Sequence, residues 1–404
     1  MRAKNRSAAA ALDRADPLAH LPARYQLPPG VIRLDGTGTG PWTETSTHRL
    51  RRCSEYRWER RGEHRWRGPG AQQRASGCDE ERATAGKLAP LLGAHPDELT
   101  ISESSPVNLF NALVAAGELR PQRPVLVVGH DCLATDDALA RSAADFGGRE
   151  LRVLARGQAL DEALDERVAV VALSHTDLAT GALRDPAQLS AEAHRRGALA
   201  LLDLTHSAGA LAVHLRAWGT DLAIGGGDKY LGGGPGAPAY SFVAERHRRA
   251  LATDPARPGA IDPLRTGRPS RLSLSTLRAG LAALEGAATA ALEHKANGLV
   301  ELFLRRLQLP GATDRVELLS PSPDGPRGSE VLLRHPEAQR VADGLWYRGV
   351  LVTVIEPDVL RFSFAPSWLR YVDAWEAAEL LREVLEALDR SGPLDRSGLS
   401  APLG

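Results

Sequence analysis

The chain has 404 residues, with 50 lysine and arginine side chains against 50 aspartates and glutamates. Balanced charge excludes the global positive field that draws a protein to nucleic acid or an anionic membrane, and the length exceeds one ordinary core, so two domains are expected. Cys53, Cys78 and Cys132 show neither metal-ligand spacing nor an evident pairing and read as free thiols of a reducing compartment.

Residues 1–30 are polar and helix-prone, and Asp13, Arg14 and Asp16 interrupt the apolar stretch that a secretion signal needs. No run approaches membrane-spanning length, so a cytoplasmic protein is expected, with no membrane or nucleic-acid partner. A short strand at 31–34 leads into Asp35-Gly-Thr-Gly-Thr-Gly40, which lacks the acidic ribose ligand and the βαβ frame of a dinucleotide loop. Residues 51–74 are rich in arginine and carry Tyr56, Trp58, His64 and Trp66. Glu55, Glu59 and Glu63 alternate with the arginines at helical spacing, the pattern of a solvated helix face rather than of a strand-binding surface. After a strand ending at Ile101, Ser105 is expected to cap a helix over 107–116 with Pro106 in its first turn. A helix start carrying hydroxyls suits a phosphate.

Apolar runs at 125–128, 151–154, 168–173 and 199–202 then alternate with helical stretches at 134–144 and 186–196. Such alternation predicts a mostly parallel sheet with helices on both faces. Residues 248–271 read as loop, and a long helix, broken or bent near Gly286, is expected over 275–307. Strands at 330–333, 350–355 and 360–364 with a helix at 338–347 make a smaller α/β unit, and a last helix covers 371–388. The expected division is an arm and loop (1–40), a large domain (41–285), a small domain (286–390) and a disordered tail (391–404).

The most informative stretch is 199–243. An apolar run ends at Asp203, His206 follows three residues on, and a second short run leads into a glycine cluster that presents Lys229. Ligands of open α/β sheets gather at the carboxyl ends of strands. A carboxylate at one strand end and a lysine beyond the next is the pair that pyridoxal phosphate requires. The amine condenses with the cofactor's aldehyde, and the carboxylate keeps the pyridine nitrogen protonated. A nucleotide-binding P-loop is excluded, because Asp228 precedes the lysine and Tyr230 follows it. As metal ligands, Asp203 and His206 lack a convincing third partner, so no metal is expected.

DLTHSAGALAVHLRAWGTDLA and KYLGGGPGAPA resemble the D-x-A-H-S-A-G and K-Y-L-N-G-G-P-G segments of the kynureninases. The resemblance extends to ALDRADPLAHLPARYQLPPGVIRLDG, ESSPVNLFNALVAAG and PDVLRFSFAPSWLRYVDAWEAAELL, and so covers nearly the whole chain. It implies fold type I of the pyridoxal-phosphate enzymes, a small amino-acid substrate, and a homodimer. The reaction it implies is hydrolysis of kynurenine or a substituted relative to an anthranilate-type acid and alanine. By the same resemblance Lys229 is the catalytic and cofactor-bearing lysine. Asp203, His206, Ser105 and Asp136 serve the cofactor, and Arg361 binds the substrate α-carboxylate; His64, from its place in the 51–74 run, is expected to approach the substrate.

The departures from the family pattern cluster around the cofactor. Asp228 replaces a tyrosine, Leu133 a phenylalanine, and Pro106 a hydroxyl residue, while Thr37 and Gly38 replace an Asn-Ser pair. The Gly-Trp loop of the family has no counterpart in 248–271. A rebuilt site is expected, in which Asp228 handles a substrate proton or pairs with Arg265, Arg268 or Arg271. Two alternatives stay open: another reaction of the same fold, such as elimination or replacement on an amino acid, and a non-catalytic binding subunit.

Overall fold

The computed structural model describes residues 5–36, 38–63, 71–130, 134–251, 264, 267–307, 315–322 and 325–391. Its centre is a sheet of seven strands: β1 (Leu99–Ser102), β2 (Val125–Gly129), β3 (Glu150–Leu154), β4 (Val168–Ser174), β5 (Leu199–Asp203), β6 (Leu222–Gly226) and β7 (Ala239–Val243). Their spatial order is β1-β7-β6-β5-β4-β2-β3. β2 to β6 are mutually parallel, and β7 alone runs against the rest, pairing antiparallel with both β6 and β1.

The continuous apolar strands follow from burial on both faces. Along β2, Val125 and Val127 enter one core cluster and Leu126 and Val128 another, as the two-residue period requires. Helices Ser105–Leu119 and Ala134–Phe146 cover the second face through Leu113 and Ala140. Helices Ala71–Leu92, Pro186–Arg195 and Arg271–Ala283 cover the first through Leu88, Leu189 and Leu277. The chain runs outward from β2 to β3, then returns past β2 to β4. That reversal opens a crevice at the carboxyl ends of β2 and β4.

A four-stranded sheet of β8 (Glu317–Leu318), β9 (Glu330–Arg334), β10 (Thr353–Ile355) and β11 (Val359–Ser363) forms the second unit, in the order β10-β11-β9-β8. It packs with helices Thr289–Leu307, Ala338–Trp346 and Tyr371–Ser391 in one apolar cluster that includes Phe303, Phe362 and Leu381. The same cluster takes Ala9, Tyr25 and Leu34 from the N-terminal segment and Tyr230 from beside Lys229. Asp13 caps the last helix by accepting from the amides of Tyr371 (2.6 Å) and Val372 (3.1 Å). Asp16 faces Lys295 at 2.8 Å, both almost fully buried.

The helix expected to break or bend near Gly286 is broken there into two, and the φ of 87° at that residue suits glycine. Several other local expectations differ from the structure. The strand over 350–355 is two. Val350–Leu351 pairs in parallel with Ile32–Arg33, whereas β10 pairs with β11. The cap of helix Ser105–Leu119 is Ser104, one residue earlier than expected, and Ser105 is its first helical residue. β7 had no sequence signal, because the Gly-Pro-rich run before it reads as loop. A helix, Glu245–Leu251, occupies the start of the stretch read as loop, and residues 392–404 lie outside the described residues.

Candidate active site

The crevice holds a cavity lined by Leu109, Val128, Asp136, Ser174, Leu178 and Asp203, among others. These positions come from the carboxyl ends of β2, β4 and β5, from the two helices that cover one face, and from the loop after β4. Asp203 is the last residue of β5, and its Oδ1 accepts from the Thr205 amide at 2.8 Å. Its Oδ2 has no hydrogen-bond partner among the described residues. Asp136 enters from the first turn of helix Ala134–Phe146. Among the described residues Ser174 Oγ is buried without a hydrogen-bond partner, as is Tyr240 Oη. Burial, then the charge of Asp203, pushes the Tyr240 phenol well above its ordinary range, so it stays protonated as a donor.

Lys229 lies beyond the carboxyl end of β6. Its Nζ donates to the carbonyl of Gly38 at 2.7 Å and stands 3.6 Å from Asp228 Oδ2. The 35–40 loop therefore lies across the lysine. The Gly40 amide donates to Asp228 O at 2.7 Å, and a β-carbon on Gly40 would meet Lys229 O at 2.5 Å, so only glycine permits that approach. Arg33 secures the loop through Asp35 Oδ1 (2.8 Å) and Thr39 O (2.5 Å).

Gly226, the last residue of β6, marks a small cradle. A β-carbon there would stand 2.6 Å from Asp228 Oδ1, 3.1 Å from Ser105 Oγ and 3.4 Å from Thr205 Cγ2. The cradle sits at the start of helix Ser105–Leu119, where free amides favour an anion. Ser105, Asp228 and Asp203's neighbour Thr205 thus converge on one point. The nearest atom of that cradle, Asp228 Oδ1, repels an anion unless it turns aside, so the fit to pyridoxal phosphate rests on Ser105 and the helix amides, on the orphaned Ser174 hydroxyl and Asp203 at the crevice, and on Lys229 beyond β6.

His206 and Arg361 meet elsewhere. His206 Nδ1 lies 3.1 Å from Glu330 Oε1. Glu330 is fully buried at the start of β9, and Tyr230 Oη donates to the same oxygen at 3.4 Å. Arg361, on β11, is also buried. Its Nη2 donates to Leu178 O at 2.5 Å, and its Nε stands 3.6 Å from Glu330 Oε2. Burial pushes the Glu330 carboxyl up, but His206 and Arg361 outweigh it and hold it below the usual range.

Glu330, Tyr230 and the Gly38 carbonyl were missed by sequence reasoning. The one available signal was a carboxylate preceding the apolar Val331-Leu332-Leu333 of the strand EVLLR. His64, Leu133, Thr37 and Arg265 lie outside the described residues. Of the remaining loop arginines, Arg271 donates to Glu80 at 2.6 Å and Arg268 is exposed. Among the described residues no helix is long and apolar enough to cross a membrane.

Comparison with known proteins places this geometry in a family. Residues 292–381 match the kynureninase C-terminal domain, and residues 137–237 match aminotransferase class V. The kynureninase of Deinococcus radiodurans is 36% identical over 398 residues, covering 94% of this chain and 96% of that protein. The kynureninase of Burkholderia mallei is 34% identical over 408 residues, covering 95% and 96%. Among solved structures, the cysteine desulfurase CsdA of Escherichia coli superposes with a TM-score of 0.75 at 16% identity, covering 92% of this chain and 99% of that one. The cysteine desulfurase of Thermococcus onnurineus NA1 also gives 0.75 at 16% identity, covering 92% and 98%. These two likenesses show the fold, a fold-type-I arrangement of large parallel sheet and smaller C-terminal unit. Sequence identity above a third across nearly the full length goes further: the chain belongs to the kynureninase family.

Proposed function

We propose that the chain is a pyridoxal-phosphate-dependent hydrolase of kynureninase type. It would cleave the Cβ–Cγ bond of kynurenine or a ring-substituted relative, releasing an anthranilate-type acid and alanine. The observation that carries this reading is Asp203 and Asp136 lining one crevice at the strand ends, in a chain of this family that carries Lys229 just beyond the next strand, β6.

When bound, the cofactor supplies an aldehyde that condenses with amines and a protonated ring that accepts electron density. Asp203 holds the proton on the ring nitrogen, and the Thr205 amide fixes the carboxylate that does so. Ser105, with the amides at the start of its helix, holds the phosphate. Arg361 binds the substrate's α-carboxylate, where a planar fork suits two oxygens. Lys229 moves the proton at the substrate's α-carbon after leaving the Gly38 carbonyl. Asp228, 3.6 Å from that amine, takes or returns a proton during water attack on the γ-carbonyl. The 35–40 loop and Leu178 limit access of bulk water.

On this reading the protein is cytoplasmic and works as a homodimer, with a large domain over 41–285 and a small one over 286–390. A second reading draws on Asp228: a carboxylate beside the lysine, where relatives carry tyrosine, supports elimination or replacement at the same site.

The test is the visible spectrum of the purified chain with and without added pyridoxal phosphate, for the parent and Lys229→Ala. Assays on kynurenine and 3-hydroxykynurenine follow. A cofactor band in the parent, lost in the variant, with release of an anthranilate-type acid, is expected. A band unchanged in Lys229→Ala would refute the lysine's role, and a loaded parent inert on both substrates would favour the second reading.

A further inference from the structure

We infer that Glu330 is a positioning residue for Arg361, tying recognition of the substrate's carboxylate to the elements that carry Lys229 and Asp203. The inference deepens the proposed function and rests on it.

Both partners are buried, with side-chain exposures of 0% for Glu330 and 7% for Arg361. A buried guanidinium stays charged and needs acceptors on its donors. Leu178 O takes one of them. Glu330 Oε2 stands 3.6 Å from Nε, an ion-pair distance, and neither atom has a hydrogen-bond partner among the described residues. The other oxygen of Glu330 is anchored in the large unit, by His206 Nδ1 at 3.1 Å and Tyr230 Oη at 3.4 Å. His206 lies three residues after Asp203, and Tyr230 directly follows Lys229. One carboxylate therefore bridges the neighbours of both cofactor-side residues to the arginine of the small unit. A side chain anchored on one oxygen fixes where the other stands, and so fixes the plane of the fork that Arg361 presents. The role is one of reach and acceptor geometry. A glutamine in the same place still offers its carbonyl to Arg361 while its amide meets His206 Nδ1 as an acceptor.

The test uses the full chain loaded with pyridoxal phosphate. The change in the cofactor's visible band is titrated with L-alanine and with ethylamine, which is alanine without its carboxylate. The ratio of the two affinities reads the contribution of Arg361. Glu330→Ala is expected to lower that ratio about tenfold while changing cofactor affinity less than threefold, and Glu330→Gln is expected to recover most of the loss. A ratio unchanged in Glu330→Ala, or a loss that Glu330→Gln does not recover, overturns the proposal. A merely structural role would lower thermal stability and leave the ratio alone.

A second arm needs no cofactor and covers a Glu330→Ala that fails to fold. Arg361→Met strands Glu330 as a buried charge, so its thermal midpoint should fall, and adding Glu330→Gln should restore part of the drop. Additive losses would show that the two side chains are not coupled and overturn the proposal. A parent that takes up no cofactor, or binds alanine and ethylamine alike, refutes the proposed function instead. The stability arm still decides whether Glu330 holds Arg361.

Discussion

Replacing Gly226 with alanine puts one methyl group into the anion cradle and tests where the phosphate sits. The added carbon would stand 2.6 Å from Asp228 Oδ1 and 3.1 Å from Ser105 Oγ. The backbone accepts the change, since Gly226 closes a strand and is not among the residues of positive φ. Asp228 is partly exposed and can swing aside, so stability should stay within about 1 kcal/mol of the parent. Cofactor binding should not. Losing one hydrogen bond to a charged group costs about 1.5–3 kcal/mol, which corresponds to roughly ten- to 150-fold in affinity. The assay is an absorbance titration with pyridoxal phosphate beside a thermal melt of the unloaded protein. Binding as tight as the parent's, in a folded Gly226→Ala, would refute the cradle; so would a melt that collapses along with binding, because the defect would then be general.

Other substitutions probe the remaining groups. Asp203→Ala should still take up cofactor but slow turnover at least a hundredfold, because a neutral pyridine accepts electrons poorly; turnover at the parent's rate would remove Asp203 from its role. Asp228→Asn and Asp228→Tyr should both lower turnover without tightening cofactor binding. Tighter binding in both with no loss of turnover would mean that Asp228 merely opposes the phosphate. Burial lowers the His175 imidazole to about 4 from its ordinary 6.5. Between those values the unfolded chain binds the proton that the folded chain excludes. Stability should therefore fall as pH drops from 6.5 towards 4, by about 3 kcal/mol in total from this group. Denaturant unfolding of the parent and His175→Phe across that range checks it: equal slopes would show that His175 does not titrate differently in the fold.

How far the sequence speaks depends on what kind of contact carries the meaning. The strands at 125–128, 168–173 and 199–202 were legible because burial on both faces leaves an unbroken apolar run. The places of Asp203 and Ser105 were legible because one ends a strand and the other begins a helix, and that of Lys229 because glycines flank it after β6. Glu330 was not, since its partner His206 lies 124 residues away and only the docking of two units brings them together. The Gly38 carbonyl could not be read at all: a backbone oxygen has no letter, and its partner Lys229 is 191 positions distant. Gly286 shows an intermediate case: the glycine marked a break or a bend in the letters, and the backbone angle decides for the break.

The capping of the last helix by Asp13 has a consequence for synthesis. Asp13 and the Tyr371 amide are 358 positions apart, so at about 5–20 residues per second the arm waits roughly 20–70 s for its partner to be made. The seven-strand sheet is complete in the nascent chain once Val243 has emerged. Through that interval Ala9, Tyr25 and Leu34 have no finished core to enter, because the cluster that buries them needs Phe362 and Leu381. The cover of Lys229 itself needs only residues made by position 229, through the Gly38 carbonyl and the Gly40 amide, whereas the arm before it waits for the end of the chain.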